Sequence, residues 1–213
     1  MLARTFRIID YKLQGDIMRS KLNIILMIGV ISMFSFCGCS DGFKYEKYSS
    51  KDPELNITMD YISDWHYSEQ RGSYGSYVQV QFYEPIGPDK NLAASMIVTI
   101  KRSSKVKFKP LTVEAAVDDL LTKRLKFKDS KIISKSKVKL LKTEAWDIEL
   151  AYKTLDKLYS VDAKLIPAKE RIIIFKKDDK FYFLRYENTD EEFNKFNNAF
   201  NRVVKTLKFK NSQ

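Results

Sequence analysis

Two apolar runs late in the chain, "ERIIIFKK" at Glu170–Lys177 and "KFYFLRYEN" at Lys180–Asn188, flank the pair Asp178-Asp179. Both runs are dense in β-branched and aromatic residues, which fit a pleated surface. A short polar link between two such runs predicts an antiparallel hairpin. Whatever else the chain does, it must build a sheet around this unit.

Further strands are expected upstream. In "LNITMDY", Leu55, Ile57, Met59 and Tyr61 recur every second residue and share one strand face. The run "YVQVQFY" alternates from Tyr77 to Tyr83, and "AASMIVTIKR" fills Ala93–Arg102, with the turn-rich "EPIGPDKN" between them. The segments "SKIISKSKVKLL" and "EAWDIELAYKT" supply two more.

The period changes twice. In "PLTVEAAVDDLLTKRLKF", Val113, Ala116, Val117, Leu120 and Leu121 fall on one helical face, with Thr112 placed as the N-cap. Acidic Glu114, Asp118 and Asp119 precede basic Lys123, Arg124 and Lys126, the order that the helix dipole favours. A second helix is expected from about Asp190 to Thr206. There Thr189 and Glu192 match a capping box, and Phe193, Phe196, Phe200, Val203, Val204 and Leu207 form the apolar stripe. Strands joined by turns, with one helix inserted and one at the end, predict an α+β fold: an antiparallel sheet covered by helices.

The first forty residues read as an address. From Leu22 to Phe36, "LNIILMIGVISMFSF" carries no charge, follows Arg19 and Lys21, and ends at Gly38 and Cys39. Fifteen uncharged, mostly apolar residues are short for a membrane span, which needs about 20, but suit the core of a secretory signal. Phe36, Cys37, Gly38 and Cys39 resemble a bacterial lipobox, in which Gly, Ala or Ser precedes the acylated cysteine. Gly38 and Cys39 fit, while Phe36 and Cys37 depart from the usual Leu and Ala or Ser.

The resemblance implies lipidation of Cys39, membrane attachment through acyl chains such as palmitate, and removal of the signal peptide at residues 18–38. Residues 1–17 precede Met18 and are expected to be a mis-started extension. Residues 39–53 are expected as a tether, and 54–210 as the folded domain. The location implied is the cell envelope, the periplasmic side of the outer membrane in a Gram-negative cell, because Ser40 and not Asp follows Cys39.

Cleavage before Cys39 discards Cys37, so no intramolecular disulfide is expected. The 213-residue chain carries 38 basic and 27 acidic residues, and the mature form keeps a formal charge of +8. Such a chain favours anionic contacts. For an exported protein these are acidic envelope proteins, polymers or lipid headgroups, and not nucleic acid.

Four segments together are similar to PsbP-like domains, the α-β-α sandwich shared with Mog-type Ran-binding proteins and many bacterial lipoproteins. They are "ITMDYISDW", "LTVEAAVDDLL", "KDDKFYFLRYE" and "FNKFNNAFNRVVKTLKF", which span Leu55–Phe209. The family often opens on Tyr-Pro-x-x-Trp; Tyr61 and Trp65 keep that spacing, with Ile62 in place of proline. The resemblance implies a binding or assembly module with no shared catalytic residues.

The residues themselves offer little chemistry. His66 is the sole histidine, beside Asp64, Trp65 and Tyr67, and is expected in a partly exposed loop. Cys37-x-Cys39 lacks metal-site spacing, Asp178-Asp179 lacks the pattern of a calcium loop, and Asp118-Asp119 and Glu191-Glu192 read as solvated helix faces. No enzyme activity, metal or cofactor is therefore expected.

One surface rises above this background. Nine basic residues stand against one acid, Asp129, between Lys123 and Lys142. In "SKSKVKL", Lys135, Lys137 and Lys139 alternate, so a strand aims all three one way, either as a solubilising face or as a contact for anions. Lys101, Arg102, Lys105, Lys107 and Lys109 are expected to extend it. The loop "RGSYGSY", with Tyr74 and Tyr77, is the second candidate contact. The expected function is a membrane-anchored binding or assembly module of the envelope; the alternative is a carrier of a small apolar or lipid ligand.

Overall fold

A period-two sequence buries whichever set of side chains the sheet turns inward, and here the sheet is turned inward on both sides. The structure, a computed structural model, describes residues 41–85, 93–102, 109–156 and 162–210. Seven antiparallel strands form the main sheet in the order β3-β4-β5-β9-β8-β7-β6. They are β3 (His66–Arg71), β4 (Val78–Tyr83), β5 (Ser95–Arg102), β6 (Lys131–Leu140), β7 (Thr143–Leu155), β8 (Leu165–Lys177) and β9 (Lys180–Thr189). The hairpin expected at Asp178-Asp179 is β8-β9, closed by the pair Lys177 and Lys180, with Asp178 at φ 55°.

One face of this sheet lies under helix α2 (Phe193–Thr206) and a small sheet of β1 (Tyr45–Ser49), β2 (Ile57–Ile62) and β10 (Lys208–Phe209). Phe193, Phe196, Phe200, Val203 and Leu207 are all buried there, as their spacing predicts. Leu55, Ile57, Met59 and Tyr61 are buried beside them, together with Val80, Phe82, Val98 and Leu184 of the main sheet. Burying a Phe or Leu side chain contributes about 1.5–3 kcal/mol, so this layer dominates the stability. The expected capping box does not cap α2: Thr189 Oγ1 accepts from the Glu192 amide at 3.3 Å, but Thr189 ends β9 and the helix N-cap is Glu192, which makes no side-chain cap bond.

Helix α1 (Val113–Arg124) covers the other face. Ala116, Val117 and Leu121 pack on Ile148, Leu150, Ile172, Ile174, Phe181 and Phe183. Thr112 is the N-cap, its Oγ1 accepting from the Ala115 amide at 3.1 Å.

Two expectations need correction. The segment 39–53 is not wholly a tether, because Tyr45–Ser49 pairs with β2 from Tyr45↔Ile62 to Ser49↔Thr58 and buries Tyr48. His66 is not in a loop; it is the exposed first residue of β3, paired with Tyr83. The expected antiparallel sheet and its two helices are present, with a three-stranded sheet beside them. Residues 1–40, including Cys37, Cys39 and the expected signal and extension, lie outside the described residues. Among those described, no helix is long and apolar enough to cross a membrane.

Candidate functional site

The face of the main sheet beneath α1 carries nearly all of the predicted contact residues. Register decides this. On β6, Lys135, Lys137 and Lys139 stand opposite Ile148, Trp146 and Glu144 of β7, so all three lysines point to the α1 side. Val138 and Leu140 point the other way, into the large core. A bulge between Ile132 and Ser134 sets this phase.

The lysines are not loose tails. Lys135 Nζ lies 4.9 Å and Lys137 Nζ 5.3 Å from the Trp146 ring centre. Lys137 also meets Glu114 of α1 at 3.4 Å. The indole thus gathers two ammonium groups near its ring centre, an arrangement worth about 0.5–1 kcal/mol for each at an exposed site. β6 is an edge strand, and lysines on such an edge also discourage pairing with another chain.

Helix α1 lies over β7 and β8 and divides this face. On its other flank, toward β9, β5 and β4, is a cleft of about 270 Å³. Tyr77, Gln79, Thr99 and Lys101 form its strand side, Leu120, Lys123 and Arg124 its helix side, and Phe183 and Arg185 its floor. Tyr77 is therefore separated by α1 from the lysine stripe. The same is true of Lys101, which lies across from Phe181 on β5 and does not extend the stripe. Lys105 and Lys107 lie outside the described residues.

The tyrosine loop folds as a hydrogen-bonded turn. A single 3-10 turn, Ser73–Gly75, joins β3 to β4, and the Gly72 amide donates to the Tyr77 carbonyl at 2.9 Å. Arg71 is held at its base by Asp52 at 2.6 Å. Gly75 adopts φ +64°, and a Cβ on Gly72 would come within 2.5 Å of the Tyr77 ring. Tyr74 belongs to the turn by its backbone; its side chain is outside the described set.

Beneath the cleft is a charge cluster that sequence reasoning missed. Glu170 is fully buried on β8, and its Oε1 accepts from Arg124 at 2.8 Å and from Arg185 Nε at 2.5 Å. Glu187 accepts from the Tyr152 hydroxyl and lies 3.8 Å from Arg185. Burial pushes the Glu170 carboxyl above the usual carboxylate range, opposed by the two guanidiniums. Burial also pushes the Lys101 ammonium down, with Lys123, Arg185 and Arg124 adding to the effect and Asp119 opposing it. The signal available in the sequence was a charge inside an apolar strand, Glu170 before "RIIIF" and Arg185 within "FLRYE". Such residues require partners.

Among the described residues, no group of three or more His, Cys, Asp or Glu side chains is placed to hold a metal ion. The exposed His66 touches Tyr83, at 5.8 Å between rings, on the same face.

No family model matches the chain, and no curated protein matches it in sequence. Its architecture has clear counterparts. The solution structure of the cyanobacterial PsbP, CyanoP, from Synechocystis sp. PCC 6803 aligns with a TM-score of 0.51 at 13% identity. The alignment covers 81% of this chain and 96% of that one. This chain has the PsbP/Mog fold. The Ran-binding protein Mog1p of Saccharomyces cerevisiae aligns equally fully, over 79% of this chain and 97% of its own, with a TM-score of 0.50 and 12% identity. The PsbP/Mog fold thus accounts for the strand order and both helices, as the four sequence segments predict, while at this identity it leaves the chemistry to the residues themselves.

Proposed function

We propose that the protein is a non-enzymatic binding module of the bacterial cell envelope. It is held at a membrane by acyl chains on Cys39 and docks an anionic envelope surface on its lysine strand. The observation that carries this reading is the stripe: Lys135, Lys137 and Lys139 on one face of an edge strand, two of them gathered over Trp146. A pre-ordered row of ammonium groups loses less side-chain freedom on meeting an acidic polymer, protein or headgroup layer than free lysines do. The Ran-binding neighbour shows that the fold serves protein recognition in another setting.

The test is charge reversal. Replacing Lys135, Lys137 and Lys139 by Glu should abolish co-sedimentation with phosphatidylglycerol vesicles, or capture of an acidic envelope partner, at moderate salt. Unchanged binding on both assays removes the stripe from the function. A Cys39→Ser variant should move from the detergent phase to the aqueous phase; retention in the detergent phase rejects the anchor.

The alternative, a carrier for an apolar or lipid ligand, gains no support from the cleft. Its walls include Lys101, Lys123, Arg124 and Arg185, whose water an apolar occupant would displace without offering hydrogen bonds in return.

A further inference from the structure

We propose that the cleft between α1 and strands β4, β5 and β9 binds a small organic anion, a carboxylate or phosphate group on a flat or apolar body. It lies across α1 from the lysine stripe, so this assignment stands or falls independently of the docking surface.

Charge selects the sign of the ligand. Four cations line the cleft, and the one lining acid, Asp119, is paired with Lys123 at 2.7 Å. Lys101, Arg124 and Arg185 line the cleft beside them. The two arginines share a single carboxylate, Glu170, which is fully buried beneath them and contributes no exposed negative surface. A guanidinium offers five N–H donors in a fixed fork. Arg124 directs one nitrogen to Glu170, and Arg185 directs two toward Glu170 and Glu187. Arg124 also lies 5.4 Å from the Phe127 ring centre, and both guanidinium side chains stay partly exposed, 19% and 23%. A carboxylate or phosphate takes paired N–H donors of this kind.

Lys101 completes the pattern from the opposite wall. Its ammonium is largely buried, sits 5.1 Å from the Phe183 ring centre, and is held below the ordinary lysine range by burial and by Lys123. An oxyanion in the cleft would offset the repulsion from Lys123.

The walls select the rest of the ligand. Leu120, Phe127 and Phe183 provide apolar contact. Thr99 Oγ1 and Gln79 Oε1 lie 3.4 Å apart, and Gln79 Nε2 donates to Gln70 at 3.2 Å, which fixes the amide with its polar end at the wall. The volume, about 270 Å³, lies just under the range of about 300–1,000 Å³ typical of drug-sized sites, which points to a compact molecule.

Benzoate and phenyl phosphate are suitable probes, with benzamide as the uncharged control. Titrated into the isotope-labelled full chain, both anions should give saturable amide shifts confined to Gln79, Thr99, Lys101, Arg124 and Phe183, and benzamide should give none. Lys101→Met keeps the stem and removes the charge. It should weaken both anions at least about tenfold, a difference well outside titration error. Absence of cleft shifts at millimolar probe, equal shifts with benzamide, or unchanged affinity in Lys101→Met would each overturn the assignment. The comparison of benzoate with benzamide needs only the native chain and decides the matter even if the variant misfolds.

Discussion

Arg124, the last residue of α1, donates to Oε1 of Glu170 at 2.8 Å, and Glu170 has no exposed surface. This face of the sheet therefore holds its helix partly by charge. The apolar contribution of α1 is modest, with Ala116, Val117 and Leu121 as its buried residues. Glu170→Gln leaves Arg124 without its carboxylate and Arg185 with only Glu187, 3.8 Å away, and breaking a buried pair in this way costs about 3–5 kcal/mol. Urea denaturation should show that loss. The triple variant Glu170→Met, Arg124→Leu, Arg185→Leu should lose far less, because it buries no unpaired charge. Equal midpoints for native and Glu170→Gln proteins would contradict the account.

The same cluster marks where sequence reading stops. Leu55, Ile57, Met59 and Tyr61, the hairpin at Asp178-Asp179, the Thr112 cap and the phenylalanines of α2 are local patterns, each contained within one element. They placed most strands, both helices and the PsbP/Mog fold. β1 and β3 escaped because "YEKYS" and "HYSEQR" are mostly exposed and show no apolar alternation. The direction of Lys135, Lys137 and Lys139 was legible because period two fixes it. The cleft was not: Lys101, Arg124, Glu170 and Arg185 lie on four different elements. Strand order β5-β9-β8 and the placement of α1 bring them together.

Glu69 ties β3 to the turn after β1. It accepts from the Tyr48 hydroxyl at 2.6 Å and from the amides of Lys51 and Asp52, each at 2.9 Å. Burial pushes its carboxyl up, but these three donors outweigh that and hold it below its ordinary 4.5. A depressed folded pKa contributes stability that is present above the unfolded value and lost as pH falls through the folded value. Glu69→Gln should therefore be less stable than the native protein at neutral pH, with the gap narrowing as pH drops below the ordinary glutamate value. Parallel stability curves across that window would show that Glu69 adds nothing through ionisation.

Gly72 sits against the ring that walls the cleft. Its φ of −69° suits any residue, so the constraint is space alone. A methyl there meets Tyr77 Cδ1 and Cε1 and Ser76 Oγ, all at 2.5 Å. The serine can rotate away, but the ring cannot yield without leaving its place. Gly72→Ala should cost about 1–3 kcal/mol, as overpacking does. It should also shift the Tyr77 ring resonances. Native stability with unshifted Tyr77 signals would mean that the turn has slack.

Arg171 joins the two layers on the opposite face. Its Nε and Nη2 grip Asp147 of β7 at 3.0 and 2.7 Å, and its Nη1 donates to Asn197 and Asn201 of α2 at 3.0 and 2.8 Å. One planar fork thus fixes a strand and a helix that otherwise meet through phenylalanines. Lysine keeps the charge but cannot make both contacts at once. Arg171→Lys should lose about 1.5–3 kcal/mol, the usual worth of hydrogen bonds to a charged group. A double-mutant cycle with Asn201→Ala should return a coupling of about 0.5–3 kcal/mol, since the two side chains share the contact. Zero coupling would show that the Arg171–Asn201 contact adds nothing and leave the docking of α2 to its apolar stripe, the Arg171–Asn197 bond and the Arg202–Asp60 pair.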